Sequence, residues 1–310
     1  MNIRTTVEAD LDTIHSLIEN KSVNTVTRER FDEYMAAGYY RHDWNWVVEE
    51  DGAIQALAIW WGMPEDGHPF SIDGLYFVGD GDPVPAWTAL IEHTLKTRPA
   101  DAEPSEYHFF LDSDWQDDAE AVAAIEVRSR AAAAVGLTEI TDRLRYDWKP
   151  ENGLPARSTR LRFEPADDEA FVDVFMRVAE NSLDAGTARE IARLGAEGAA
   201  RFELELYKSM PGERDWWRLA YDADGKLIGF EMPSANAGGL TVGYLGVLPE
   251  HRGHRYIDEL LAEITHFLAE KGAERITADT DFGNVPMARS FERGGYRNFA
   301  VRRVLSFPES

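Results

Sequence analysis

The sequence predicts an α/β protein, of the α+β kind in which parallel and antiparallel strands share a sheet, built as two tandem domains of one fold. Three observations predict it. One order of apolar patterns runs twice along the chain. In each half an aspartate–glycine turn sits between alternating apolar runs, the signature of a hairpin. Each half also has a strand that leads through a short turn into an amphipathic helix, the crossover that parallel strands require.

Taken in order, IRTTVEADLDTIHSLI (3–18) reads as a short strand, an acidic turn and a helix with Leu11, Ile14 and Ile18 on one face. LRFEPADDEAFVDVFMRV (161–178) repeats that plan with Phe171, Val172, Phe175 and Met176. WNWVVEEDGAIQALAIWW and WWRLAYDADGKLIGFEM are each two strands around a turn, at Asp51-Gly52 and Asp224-Gly225. DGLYFV and VGYLGV follow as strands, each before a helix. The first helix aligns Trp87, Leu90, Ile91 and Leu95; the second aligns Ile257, Leu260, Leu261, Ile264 and Leu268, the stripe of a half-buried helix. EYHFFLDS and RITADTDF are matching strands. RSRAAAAVGLTEI and RSFERGGYRNF are matching helices halted at Gly136 and Gly295. Between the halves KPENGLPARST (149–159) has two prolines, a glycine and no apolar period, and reads as a linker. The expected domains are 1–148 and 160–310. The tryptophans Trp44, Trp46, Trp60, Trp61, Trp216 and Trp217 read as an aromatic core or a domain interface.

A formal net charge of −24 argues against nucleic acid or an anionic membrane as partner, since both repel such a surface. The chain has no cysteine, which removes disulfides, thiolate metal sites and cysteine nucleophiles. The histidines are scattered and no metal constellation is expected. The N-terminus lacks a secretory pattern and no apolar run spans a bilayer, so a soluble cytoplasmic protein is expected.

Against that acidity, LGVLPEHRGHRYIDELL (245–261) places Arg252, His254 and Arg255 at the start of a helix. Free amides and the helix dipole converge there, and a pyrophosphate suits the chemistry. The alternative is a solvated basic turn.

The run from Val247 to Gly253 resembles the central signature of the Gcn5-related N-acetyltransferase (GNAT) superfamily, V-x-P-x-x-R-G-x-G-x-G/A. TDFGNVPMARSFERGGY is similar to that family's asparagine-led helix, with Asn284, Ala288 and Gly295-Tyr296 at matching places. The doubled plan looks like the tandem actinobacterial members with the mycothiol-synthase layout. The resemblance implies two tandem GNAT acyl-CoA N-acyltransferase domains with acetyl-CoA as cosubstrate. The backbone of Leu245, Gly246 and Val247 would bond the pantetheine arm. Arg252, Gly253, His254, Arg255, Tyr256 and Ile257 would wrap the pyrophosphate, and Asn284 would bond the pantetheine. The oxyanion would meet a backbone N–H of a splayed strand.

Three residues depart from the family's pattern. Arg255 stands where glycine is usual; in a helical conformation its N–H would stay available and its side chain would add a charge-assisted bond. Ile257 replaces glycine or alanine and reads as packing. Phe291 lies in the implied cofactor cleft, where many members carry the tyrosine that reprotonates the leaving thiolate, and Tyr244 and Tyr256 are substitutes by position. Glu231, in the apolar run LIGFEMPS at a strand end, is a base candidate through a raised pKa, or else an exposed edge residue. His251 and His254 are further nominees that suit anion binding better.

The first half has YFVGDGDPVPAWTALIEH at the equivalent crossover, with Asp80 and Asp82 where phosphates need cations, and Ala132 opposite Phe291. It reads as a degenerate copy that shapes the substrate side or supports its neighbour. The expected activity is acetyl transfer from acetyl-CoA to a primary amine of a small molecule in the second domain. The rival reading is a non-catalytic ligand-binding or assembly module of the same fold. Acidity hints at a cationic acceptor such as a polyamine or amino sugar, and a homodimer is open to the protein.

Overall fold

Among the residues that the computed structural model describes (2–18, 23, 26–99, 102–236 and 238–308), the repeated pattern folds as two units, Met1–Asp142 with Ala300–Ser310, and Arg143–Phe299. The first contains β1 (Asn2–Thr5), α1 (Leu11–Ile18), α2 (Arg28–Ala37), β2 (Trp46–Glu50), β3 (Ala53–Trp61), β4 (Ser71–Phe77), α3 (Val84–Thr97), β5 (Glu106–Asp112), α4 (Ala119–Ala134) and the start of β6 (Glu139–Trp148). Strands β1 to β4 form an antiparallel meander and β4 runs parallel to β5. The β2–β3 turn has positive φ at both Asp51 and Gly52, as the twist of a two-residue hairpin demands. Ile14, Ile18, Phe31, Tyr40, Leu57 and Tyr76 form a core under α1 and α2, while Trp44 and Trp60 are buried in this unit's interior.

The second unit continues from Arg143 of β6 through β7 (Arg162–Glu164), α5 (Asp168–Ala179), α6 (Ala185–Ser209), β8 (Arg218–Tyr221), β9 (Leu227–Asn236), β10 (Gly239–Val247), α7 (Tyr256–Glu270), β11 (Ile276–Asp281) and α8 (Val285–Arg293) into β12 (Arg297–Ser306). Its strands lie in the order β6-β11-β10-β9-β8-β7, with only β10 and β11 parallel. Asp167, Asp184 and Asn284 cap α5, α6 and α8 with their side chains. Helix α6 breaks at Gly195 (φ 73°, ψ 167°), a conformation open to glycine alone. The core packs Phe171, Phe175, Trp217 and Phe230 with Leu261, Ile264 and Phe291.

The units divide differently from the expected boundary at residue 148. Residues 143–148 of β6 pair with β11 in the second unit, and residues 300–305 of β12 pair with β5 in the first. Each half of the chain thus gives part of its last strand to the other half's unit. The segment expected as a linker is tied along α7: His266 Nε2 lies 2.8 Å from the Pro155 carbonyl, Arg157 pairs with Glu263 and Glu270, and Ser158 and Arg160 bond Glu259.

At Gly229 the strands β9 and β10 approach so closely that a Cβ would collide with the Gly246 carbonyl oxygen, whereas nothing lies near Gly283. Gly229→Ala is expected to lower stability by about 2–3 kcal/mol, and Gly283→Ala to leave it within about 0.5 kcal/mol; urea unfolding of the two variants measures both.

Candidate active site

Strands β10 and β11 touch at one point. Among the described residues they register at Thr241↔Thr277 alone, pinned by the Thr241 hydroxyl donating to the Thr277 carbonyl at 2.9 Å. Beyond it no further pair joins them among the described residues, so the β10 edge from Tyr244 onward has no strand partner there on the β11 side. The register of β10 against β9 also slips between Thr241 and Tyr244, a bulge at Val242-Gly243. Gly243 has φ 70°, and a Cβ there would collide with the Met232 carbonyl oxygen, so the bulge needs glycine.

The quoted loop begins where β10 ends. No acceptor is found among the described residues for the consecutive amides of Gly253, His254, Arg255, Tyr256 and Ile257, and the N–H of Asp258 returns to the Arg255 carbonyl. Gly253, His254 and Arg255 are exposed. A run of free amides at a helix start is an anion cradle. Arg255 is not in the right-handed helical conformation: its φ of 63° and ψ of 19° are left-handed. The backbone therefore keeps the shape that glycine would give, at a cost of roughly 1–2 kcal/mol.

Arg252 has another task. Its guanidinium donates to the carbonyls of Val178 (2.7 Å), Glu180 (3.0 Å) and Val247 (3.2 Å). It caps the C-terminus of α5 and ties it to the end of β10, so its charge is committed to carbonyls rather than offered to a phosphate. Arg160 stacks on Tyr256, 4.4 Å from the ring centroid, and donates to the His254 carbonyl at 3.1 Å. Ile257 packs against the core, as expected. Asn284 accepts from the Met287 N–H and starts α8 beside the end of β11.

Phe291 is 1% exposed, stacked on Tyr146 at 5.0 Å and against Tyr296 at 5.4 Å. It is a core residue and presents no surface to a cleft. Glu231 lies in the middle of β9, not at its end, and it is not an exposed edge residue. It is 2% exposed, with Oε2 lacking a hydrogen-bond partner. Burial and the Glu263 carboxylate push its pKa well up, against Arg218. Phe230 points at α5, so Glu231 faces α7, on the opposite side of the sheet from Tyr244.

Tyr244 stands directly after the bulge and lies on the α5 and α6 face, stacked on Tyr207 at 6.1 Å between centroids and against Phe175 at 5.4 Å. Around it the structure gathers groups that sequence reasoning missed. Glu203 of α6 is partly buried, and burial with the charges of Asp184 and Glu190 pushes its pKa up to about 7, against Arg143. Burial and Glu203 raise the phenols of Tyr207 and Tyr244, keeping both protonated. Arg143 of β6 bonds Asp281 at 2.7 Å and Asp184 at 3.3 Å, while the Ala185 N–H donates to Asp281 at 2.6 Å. This bracket seats the start of α6 on the end of β11. The available signal was a glutamate on the inward side of a helix, beside Ala199, Ala200 and Leu204, one turn before Tyr207. Among the described residues no cluster of His, Asp and Glu could hold a metal, and no helix is long and apolar enough to cross a membrane.

For Glu203 the folded pKa of about 7 exceeds the ordinary 4.5, so the folded state binds the proton more tightly. Its contribution to stability is complete below pH 4.5 and is lost as pH rises to about 7, up to about 3 kcal/mol. Glu203→Gln should remove that slope, and urea unfolding at pH 5 and pH 8 measures the difference.

Residues 190–296, which hold Glu203, Tyr207, Tyr244, the splayed edge and the loop but neither Arg143 nor Asp184, match the model of the Acetyltransferase (GNAT) family. A mycothiol acetyltransferase of Clavibacter sepedonicus is 34% identical over 83 residues, 27% of this chain and 27% of that protein, so the match spans about a quarter of the relative's length. The corresponding protein of Clavibacter michiganensis is 32% identical over the same share. The crystal structure of a GCN5-related N-acetyltransferase from Sphaerobacter thermophilus superposes with a TM-score of 0.60 at 16% identity, over 100% of this chain and 96% of that one, which shows the shared fold. Over residues 190–296 the chain is thus similar to the Acetyltransferase (GNAT) family, and over its whole length it shares the fold of the Sphaerobacter protein.

Proposed function

We propose that the protein is an N-acetyltransferase that moves an acetyl group from acetyl-CoA to a primary amine of a small molecule, in its second unit. The observation that carries the reading is the unpaired β10 edge running into the free amides of 253–257. A pantetheine arm offers amide groups that the strand edge can pair, and a pyrophosphate suits the cradle with His254 and Arg255 beside it. The backbone of Leu245, Gly246 and Val247 would hold the arm, and Asn284 lies at the mouth of the splay.

Glu203, rather than Glu231, is the base. Its pKa of about 7 lets it accept a proton from an arriving ammonium near neutral pH, directly or through water. The freed amine attacks the thioester carbonyl carbon, and the developing oxyanion is met by a backbone N–H at the bulge. As the adduct collapses, its nitrogen gives its second proton to solvent, the amide forms and the C–S bond breaks. The thiolate takes a proton from Tyr244, which stays protonated at neutral pH until then and is reprotonated from solvent afterwards. Asp184 and Glu190 make the acceptor side acidic, which favours a cationic amine.

Calorimetric titration with acetyl-CoA tests the cradle. Arg255→Gly preserves the left-handed backbone and removes only the guanidinium, so affinity should weaken by about tenfold. Arg252→Ala instead should lower stability, by about 2 kcal/mol. In an assay of thiol release with an amine panel, kcat/KM should rise with pH along a limb whose midpoint lies at about pH 7. Glu203→Gln should lose about 100-fold and that limb of the profile. No binding by the unaltered protein would favour the non-catalytic module, as the buried Phe291 does.

A further inference from the structure

The amide cradle before α7 is held by a residue 94 positions away in sequence, Arg160. The backbone fixes this arginine before its side chain begins. The Ser158 hydroxyl oxygen accepts from the Arg160 and Leu161 amides at 3.2 and 3.0 Å. Leu161 then packs with Val247 and Leu260, beside Tyr256 and Ile257. The guanidinium is fixed in turn. Its Nε donates to Glu259 at 2.6 Å, its carbon lies 4.4 Å from the Tyr256 ring centroid, and Nη2 donates to the His254 carbonyl at 3.1 Å. A planar guanidinium held at one edge by a carboxylate and on one face by a ring has little freedom to turn, so the donor on that carbonyl is preorganised.

That bond decides which way a strained peptide faces. In a trans peptide the C=O and N–H point in opposite directions. A His254 carbonyl turned to Arg160 therefore turns the Arg255 N–H away from it, and no described residue accepts that N–H. The same orientation goes with the φ of 63° at Arg255. An L-residue prefers the right-handed region. Rotating the 254–255 peptide plane by about half a turn would take Arg255 there, and would exchange the directions of its N–H and the carbonyl. A carbonyl oxygen would then stand among donors that an anion needs, and would repel it. Glycine at 255 accepts either orientation. Arginine does not, and Arg160 makes a bond that only the left-handed orientation satisfies.

From this geometry we infer that Arg160 is a positioning residue for the acetyl-CoA pyrophosphate, holding the 254–255 peptide so that the Arg255 N–H faces the anion. The inference rests on the reading of 253–257 as the pyrophosphate cradle. Arg160 and the anion stand on opposite sides of that peptide, so its charge acts on the backbone and not on the ligand.

The test is calorimetric titration of the full chain with acetyl-CoA and with inorganic pyrophosphate, beside a crystal structure of Arg160→Met. Methionine keeps an unbranched apolar stem over Tyr256 and has no donor. Arg160→Met should weaken both ligands by about tenfold, because the competent peptide orientation is no longer the favoured one. Its structure should show the His254 carbonyl turned and Arg255 at negative φ. In the Arg255→Gly background the same substitution should cost less than about twofold, since glycine tolerates the left-handed turn unaided. Arg157→Met, which removes ion pairs to Glu263 and Glu270 on the same helix, should leave affinity unchanged. Should Arg160→Met fold poorly, Arg160→Lys carries the same comparison, with a smaller loss that Arg255→Gly again abolishes. An equal loss in both backgrounds would make Arg160 a direct phosphate ligand and overturn the inference, as would unchanged affinity or an unturned peptide in the variant. Pyrophosphate binding without acetyl-CoA binding sinks the acetyltransferase reading alone, and the two backgrounds then decide the role of Arg160 on pyrophosphate. Binding of neither overturns both.

Discussion

A parallel pair of strands held together at one point is the constraint on which the second unit depends. Two strands that part expose unsatisfied backbone groups, and such a fork closes or fills unless something keeps it open. Here the apex is pinned at Thr241 and Thr277, and the glycine bulge turns β10 away just beyond it. The two arms are then held from outside. Arg252 fastens the end of β10 to the last carbonyls of α5, and Arg143 fastens the end of β11 to the start of α6 through Asp281 and Asp184. Neither arginine needs to touch a ligand to matter. Both spend their charge on geometry, and the amides before α7 keep no backbone acceptor among the described residues.

The two units show one device with two fillings. Each has a bulged central strand and a parallel neighbour that departs after one or two pairs. In the second unit the bulge carries Val242 and Gly243, and the edge beyond is bare. In the first the bulge carries Asp73, and Arg128 and Trp87 bond the carbonyls of Leu75 and Tyr76 beyond it. Asp80 and Asp82 at the first unit's crossover oppose phosphate on charge, as the sequence suggests. The plugged carbonyls add a steric reason that no motif displays.

Much of this was legible in the chain because the informative features are local. Hairpins follow from aspartate–glycine turns, the helix stripes from their period, and the cradle from a loop that opens a helix. What was not legible depends on partners distant in sequence. Alternation identifies β6 and β12 as strands but not their neighbours, so the exchange of strand ends between units has no sequence signal. Glu231 looks like a base because it interrupts an apolar run, yet strand parity turns it toward α7. Glu203 looks like an ordinary helical glutamate, and becomes unusual only when Asp184 and Tyr244 are placed around it. Arg255 reads as a lost glycine, whereas its backbone has kept the glycine conformation.

The proton economy follows from the same placement. In the proposed reaction an alkylammonium near pKa 10 must give up a proton before it can attack, and a carboxyl poised at about 7 takes that proton from only a small fraction of bound amine at a time. The acid must then stay protonated beside that base until sulfur departs. A phenol satisfies this, and the Glu203 charge strengthens it by raising the pKa of Tyr244 further. In the proposed reaction the two roles are thus coupled through one contact region: the carboxylate that would remove the first proton also keeps the second in place, while Phe291 serves as core between Tyr146 and Tyr296.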